Sequence, residues 1–220
     1  MLMYFESRAV AGAKLTAELL DEYRYKDTAV VALDSGGVAV GYQIAIYLHT
    51  TLQQLITETI RIDDESVDYA TVLPEGVVAK NPDMSESEVE YYYSEYAGQL
   101  EDKIREASSR INRMLGDGGD INPDALRGRN IILVSDGLSS GTMLDATIEW
   151  LKPVRAEKII LACPVISVPA LDRAHILTDE LHILGVAQNF ISNNHYYDID
   201  DAPDSEMTKK MINATILGWK

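Results

Sequence analysis

Short runs of aliphatic and β-branched residues alternate along the chain with segments whose apolar residues recur at three- and four-residue spacing. The runs Thr28 to Leu33, Leu52 to Ile56, Asn130 to Val134, Lys158 to Cys163 and Glu180 to Leu184 are each about the length of a strand. Most are apolar on both faces, as expected of strands covered on both sides. Between them, Ala9 to Glu22, Val38 to Leu48, Thr142 to Leu151 and Val168 to Asp179 carry the helical spacing. This alternation predicts an α/β fold, an open and mostly parallel twisted sheet with flanking helices. Ligands on such sheets bind beyond the carboxyl ends of the strands, so the loops after Leu33 and Val134 are where chemistry is expected.

Two segments break the alternation. Val67 to Ala79, VDYATVLPEGVVA, alternates apolar and polar residues around Pro74, Glu75 and Gly76 and reads as an antiparallel hairpin. Ser85 with Glu88 forms a capping box ahead of a charged helical pattern from Glu86 to Leu115. GDGGDINP, Gly116 to Pro123, then ends that helix. No repeat or low-complexity tract divides the chain. The expectation is a single domain over residues 1–220, with the hairpin and long helix inserted at about 66–116 and a last helix from Ser205 to Leu217.

Composition narrows the choice of partner. The 220 residues carry 19 Lys+Arg against 35 Asp+Glu, a net charge of −16. That balance argues against nucleic acid and against anionic membrane surfaces. The lone cysteine, Cys163, lies in an apolar run, so no intrachain disulfide framework is expected. Glu6 and Arg8 interrupt the N-terminus where a signal peptide needs an apolar stretch, and no apolar run approaches the ~20 residues of a membrane span. The expected location is cytoplasmic.

The motif richest in chemistry is Ile131 to Met143, IILVSDGLSSGTM. An apolar strand runs into an acidic residue, then a small-residue loop, then a helix near Thr142. Backbone N–H groups and hydroxyls of Ser139, Ser140, Gly141 and Thr142 can cradle a phosphate, and the helix N-terminus adds favourable potential. Asp136, a few residues earlier, can accept hydrogen bonds from sugar hydroxyls. The combination suits a 5′-phosphorylated ribose, although an ordinary strand-to-helix turn with capping hydroxyls would look similar.

This segment resembles the phosphoribosyl pyrophosphate (PRPP) signature of the type I phosphoribosyltransferases, and the chain is similar to a bacterial group of predicted members. FESRAVAGAKLTAELL matches that group's opening helix, ALDSGGVAVGYQIA its glycine loop and helix, and LRGRNIILVSDGLSSGTM its signature. The resemblance spans roughly Phe5 to Asp198. It implies a transferase of the glycosyltransferase class acting in nucleotide metabolism, with a small phosphoribosyl or nucleotide ligand, Mg²⁺, and room for a homodimer. Asp136 would be the catalytic residue, holding the ribose and, through water, the metal. Gly137, Leu138 and Ser139 to Thr142 would hold the ribose 5-phosphate, and Ser35, Gly36 and Gly37 the pyrophosphate. Phe190, after the last strand, would face the acceptor.

The chain also departs from the family. Asp34 and Ser35 replace the proline and arginine of a Pro-Arg-Gly-Gly loop, and Ser135 replaces the first of two adjacent acids. Ile56-Thr57-Glu58-Thr59 replaces a basic pair, and Ser139 stands where purine-specific members place a carboxylate. These changes remove charge complementarity to PRPP, since a carboxylate repels pyrophosphate and the lost guanidinium is a bidentate donor. The alternative is therefore a catalytically impaired nucleotide-binding or regulatory protein on the same fold. Gly36 and Gly37 fit a plain tight turn as well as a pyrophosphate loop. Tyr91 to Tyr93 point in different directions on a helix and read as packing and surface. His175, His182 and His195 show no metal-ligand spacing, and Asp63 to Glu65 read as a solvated turn.

Overall fold

The computed structural model describes residues 4–62, 67–82, 84–114 and 121–219. The turn expected at Asp63 to Glu65 and most of the linker expected at Gly116 to Pro123 lie outside the described residues. A five-stranded parallel sheet has the order β2-β1-β6-β7-β8, built from β1 (Thr28–Ala32), β2 (Thr51–Gln54), β6 (Asn130–Val134), β7 (Lys158–Ser167) and β8 (Glu180–Ala187). The expected α/β architecture is thus present.

Period-two alternation divides each central strand between two cores. Ala29, Val31, Ile131, Leu133, Leu161 and Cys163 point to the face covered by α4 (Thr142–Leu151) and α5 (Val168–Leu177). Val30, Ala32, Ile132, Val134, Ile160 and Ala162 point to the face covered by α1 (Arg8–Tyr23) and α2 (Ser35–Leu48). Because both faces are covered, the strands are apolar throughout rather than alternating in sequence. Cys163 is buried in the first of these cores.

A second, antiparallel sheet consists of β3 (Glu58–Ile62), β4 (Val67–Val72) and β5 (Val78–Lys80). Together with α3 (Glu86–Met114) it has its own core, where Ile60, Tyr69 and Val72 meet Val89, Leu100 and Ile111. The hairpin pattern corresponds to β4 and β5. β3 is an addition, short and mixed in polarity, and it becomes a strand by pairing with β4. Tyr91 and Tyr93 are exposed while Tyr92 packs toward this core, which agrees with three directions on one helix.

Three differences from the expected elements bear on the site. The helix expected from Val38 begins at Ser35, so the glycines form its first turn instead of a separate loop. β7 runs on past Cys163 to Ser167, and Pro164, which has no N–H to donate, lies beyond the last β6 partner at Ala162. The stretch after β8 folds back as a strap to the N-terminus. Phe5 pairs with Tyr197, and Phe5, Val165, Ala187, Tyr196 and Tyr197 bury one another. The chain closes with α6 (Ser205–Ala214) packed on α2.

Candidate functional site

β1 lies between β2 and β6, so the chain leaves its carboxyl end toward one side and returns on the other. A crevice opens at such a switch point. Ala32 is paired with Val134 in the parallel register, and two residues further along each strand Asp34 and Asp136 emerge as neighbours. Asp34, Thr59, Asp68, Thr71, Asn193 and, from the loop into α4, Gly137 to Ser140, Thr142 and Met143 line a cleft of about 290 Å³ here.

The loop from Gly137 to Gly141 is held by the extra length of β7. The Leu138 N–H donates to Val165 O at 3.1 Å, the Ser167 N–H to Leu138 O at 2.9 Å, and the Ser167 hydroxyl to Ser139 O at 2.8 Å. Ser167 also caps α5 by accepting from the Ala170 N–H. This anchoring leaves Ser139 exposed and Ser140 and Thr142 half-buried at the start of α4, with their hydroxyls 3.4 Å apart. A Cβ on Gly141 would stand 2.5 Å from Cγ of Arg173, so the missing side chain lets the arginine stem cross the loop. Arg173 pairs with Asp145 in the first turn of α4. A guanidinium thus lies behind the loop, from a helix that carried no sequence signal for the site.

The glycine segment is arranged differently. Asp34 adopts extended backbone and caps α2, its Oδ1 accepting the Gly37 N–H at 2.5 Å, while its Oδ2 accepts the Ser135 hydroxyl at 2.5 Å. The N-terminus of α2 therefore already has a carboxylate on it. Ser35 is exposed, whereas Gly36 and Gly37 are buried. A Cβ on Gly36 would lie 2.0 Å from Oδ2 of Asp136, and one on Gly37 would lie 2.5 Å from Val134 O. Both glycines allow α2 to seat against the end of β6. Burial, with the nearby charge of Asp136, pushes the Asp34 carboxyl up to about 7, against the Ser135 hydroxyl and the N–H groups of Gly37 and Asp136 that favour its ionised form.

Asp136 does not line the cleft. Its side chain is 4% exposed and turns inward, where Oδ2 takes Nε of Arg8 at 2.7 Å and Oδ1 takes the amide of Asn193. Its main-chain oxygen accepts the Tyr197 hydroxyl at 2.5 Å. Arg8 also binds Asp201 and Asn194 and lies over the Tyr197 ring at 4.6 Å. Burial works against the charged guanidinium, but Asp136 and Asp201 outweigh it, leaving its pKa above the usual value. Arg8, Asn193, Tyr197 and Ser167 were not among the residues singled out from sequence. Arg8 stood out there only as an interruption of the N-terminus, and the others lie far from the motif they serve.

Phe190 packs against Tyr196 with ring centroids 5.2 Å apart and reaches the Cα side of Gly137, at the rim of the strap. Glu58 takes Arg110 of α3 at 2.8 Å, and Arg61 takes Asp68 at 2.7 Å, so the segment replacing the basic pair is occupied with its own ion pairs. His182 sits between Glu18 and Glu180, and His195 beside Tyr4.

The donor set for a divalent cation can be tested on these contacts. Mg²⁺ keeps several waters and needs one or two available carboxylates. Both oxygens of Asp136 and both of Asp34 accept from protein donors, and Asp34 is held up at about 7. Among the described residues no group of three or more His, Cys, Asp or Glu could hold a metal ion. These residues do not fit a protein-held Mg²⁺. Among the described residues, likewise, no helix is long and apolar enough to cross a membrane.

Comparison with known proteins agrees with the architecture. TT1426 from Thermus thermophilus has a similar fold, with a TM-score of 0.73 at 23% identity, covering 99% of this chain and 100% of that one. A purine phosphoribosyltransferase from Pyrococcus horikoshii overlaps less, with a TM-score of 0.47 at 15% identity, covering 87% of this chain and 93% of that one. The family model for the phosphoribosyl transferase domain matches residues 4–183, which spans the parallel sheet from α1 into β8, and the chain belongs to that family.

Proposed function

We propose that the cleft binds a 5′-phosphorylated ribose, as PRPP or a nucleoside 5′-monophosphate, and that the protein transfers the phosphoribosyl group to a nitrogenous acceptor. The observation that carries this reading is the loop Ser139 to Thr142, pinned by Ser167 at the start of α4 and open to the cleft. Its hydroxyls and backbone N–H groups suit a phosphate monoester, and the N-terminus of α4 favours the negative charge. Family membership supports the reaction class.

In that reaction the acceptor nitrogen forms a bond to C1 of the ribose while the C1–O bond breaks. Pyrophosphate leaves with the bonding electrons, and the nitrogen loses its proton. The protein's contribution is to hold the reactants in line and stabilise the charge that develops. We assign the ribose hydroxyls to Asn193, which lines the cleft, with Asp136 behind holding its amide. Phe190, at the rim of the strap, is the acceptor-side contact.

A second reading, a nucleotide-binding regulatory protein without transferase chemistry, is favoured by one observation. Asp34 occupies the N-terminus of α2, and no Lys or Arg is among the described residues lining the cleft, so a pyrophosphate would meet carboxylates there. Calorimetry with PRPP and with AMP, beside an assay for pyrophosphate release over a panel of bases and amines, separates the two. Binding of both ligands with release supports the transferase, and AMP binding without release supports the regulator. Binding of neither at millimolar concentration overturns both.

A further inference from the structure

We propose that Arg8 is the resident cation of this site, standing on Asp136 where a divalent metal would otherwise be held, and that phosphate-monoester binding in the cleft is independent of divalent cations. The second half rests on the nucleotide reading above; the first does not.

The geometry is that of a completed ion site. Arg8 is the first residue of α1, behind the Ser7 cap, and its side chain is 1% exposed. Its three guanidinium nitrogens all have partners: Nε on Asp136, Nη1 on Asp201 at 3.1 Å and Asp200 at 3.5 Å, and Nη2 on Asn194. The flat face rests on Tyr197. Asp136 is equally committed, with Arg8 on one oxygen, Asn193 on the other, and the Tyr197 hydroxyl on its main chain. A metal ion on Asp136 would have to displace a buried guanidinium from its one buried carboxylate and leave it with only the more exposed Asp201 and Asp200.

The surrounding packing makes room for the pair. The Gly36 Cβ position lies 2.0 Å from Oδ2 of Asp136 and 2.9 Å from Nε of Arg8, so α2 reaches the sheet only because a glycine makes way for both. The same ion pair draws the strap from Asn193 to Asp201 over the end of β6. Arg8 also neutralises one of the two carboxylates that emerge together from β1 and β6. Arg8 is therefore a positioning residue with an electrostatic role, and it does not line the cleft.

The test uses the whole chain and two measurements. Titration of the free protein with Mn²⁺, followed by its paramagnetic resonance signal, should show no stoichiometric site in the native protein. Arg8→Gln should create one that the double variant Arg8→Gln/Asp136→Asn lacks. A native site that Asp136→Asn abolishes would overturn the proposal, as would an Arg8→Gln protein that folds by circular dichroism yet gains no site. If Arg8→Gln does not fold, the native titration and calorimetry decide. AMP should bind native protein in EDTA and in Mg²⁺ with dissociation constants equal within about twofold, whereas tightening of about tenfold or more by Mg²⁺ overturns the metal-independent half. AMP binding in neither buffer defeats the nucleotide reading, and the Mn²⁺ titration then judges Arg8 alone.

Discussion

Nε of Arg8 lies 2.7 Å from Oδ2 of Asp136 with both side chains buried, joining the first turn of the N-terminal helix to the end of β6, 128 residues later. Removing Asp136 leaves the buried guanidinium with only the more exposed Asp201 and Asp200 as counter-charges. Asp136→Asn should lower stability by about 3–5 kcal/mol, read from the urea midpoint. The apolar pair Arg8→Met/Asp136→Leu should recover most of that loss, because it removes both charges together.

Glycine at position 36 is a packing requirement. Gly36→Ala places a methyl 2.0 Å from the Asp136 carboxylate and should unfold the protein or sharply lower its melting temperature. Gly98, exposed in α3 with nothing near its Cβ position, is the control. Gly98→Ala should stabilise by about 0.5–1 kcal/mol through backbone entropy and helix propensity, read from the same melts.

Asp34 makes stability depend on pH in a defined direction. Its carboxyl is raised to about 7 in the folded protein, so between its unfolded value and 7 the folded state binds the extra proton. Stability from this group is greatest in acid, falls as pH rises toward 7, and levels off above it, with a slope of at most about 1.4 kcal/mol per pH unit. Asp34→Asn keeps a capping side chain and removes this slope. Urea unfolding of both proteins between pH 4 and 8 checks the sign, and parallel curves would refute it.

If the loop Ser139 to Thr142 holds the phosphate as proposed, its variants should respond in affinity more than in stability. Ser139→Ala and Thr142→Val each remove one hydroxyl and should weaken AMP binding about fivefold, the equivalent of ~1 kcal/mol per hydrogen bond. Ser167→Ala removes the anchor to Ser139 O and the cap of α5. It should cost about 1–2 kcal/mol of stability and also weaken binding. Calorimetry and thermal melts on the three variants distinguish contact from anchor.

Much of the fold was legible because it is written in local repetition. β6 and α4 match the expected Asn130 to Val134 and Thr142 to Leu151 at both ends. Continuous apolar runs marked strands covered on both faces, and the loop Ser139 to Thr142 was visible as small residues between a strand and a helix. The glycine pair was also visible, but its meaning was not. The sequence motif left Gly36 and Gly37 open as an anion loop or a tight turn, and their close approach to Asp136, Arg8 and Val134 shows that they also let a helix seat on the sheet.

Local pattern was enough to establish the α/β alternation, the small-residue loop between β6 and α4, and the shortage of cations that leaves Asp34, Ser35 and Glu58 where charge of the opposite sign would favour an anion. What Asp136 faces emerged from the assembled fold alone. Parallel pairing of β1 with β6 brings Asp34 beside it, the strap returning from β8 brings Asn193, and α1 brings Arg8 from the far end of the chain. The reason is physical: hydrophobic periodicity reports which face of an element is buried, whereas the partner of a buried charge is set by contacts between elements that no local pattern records.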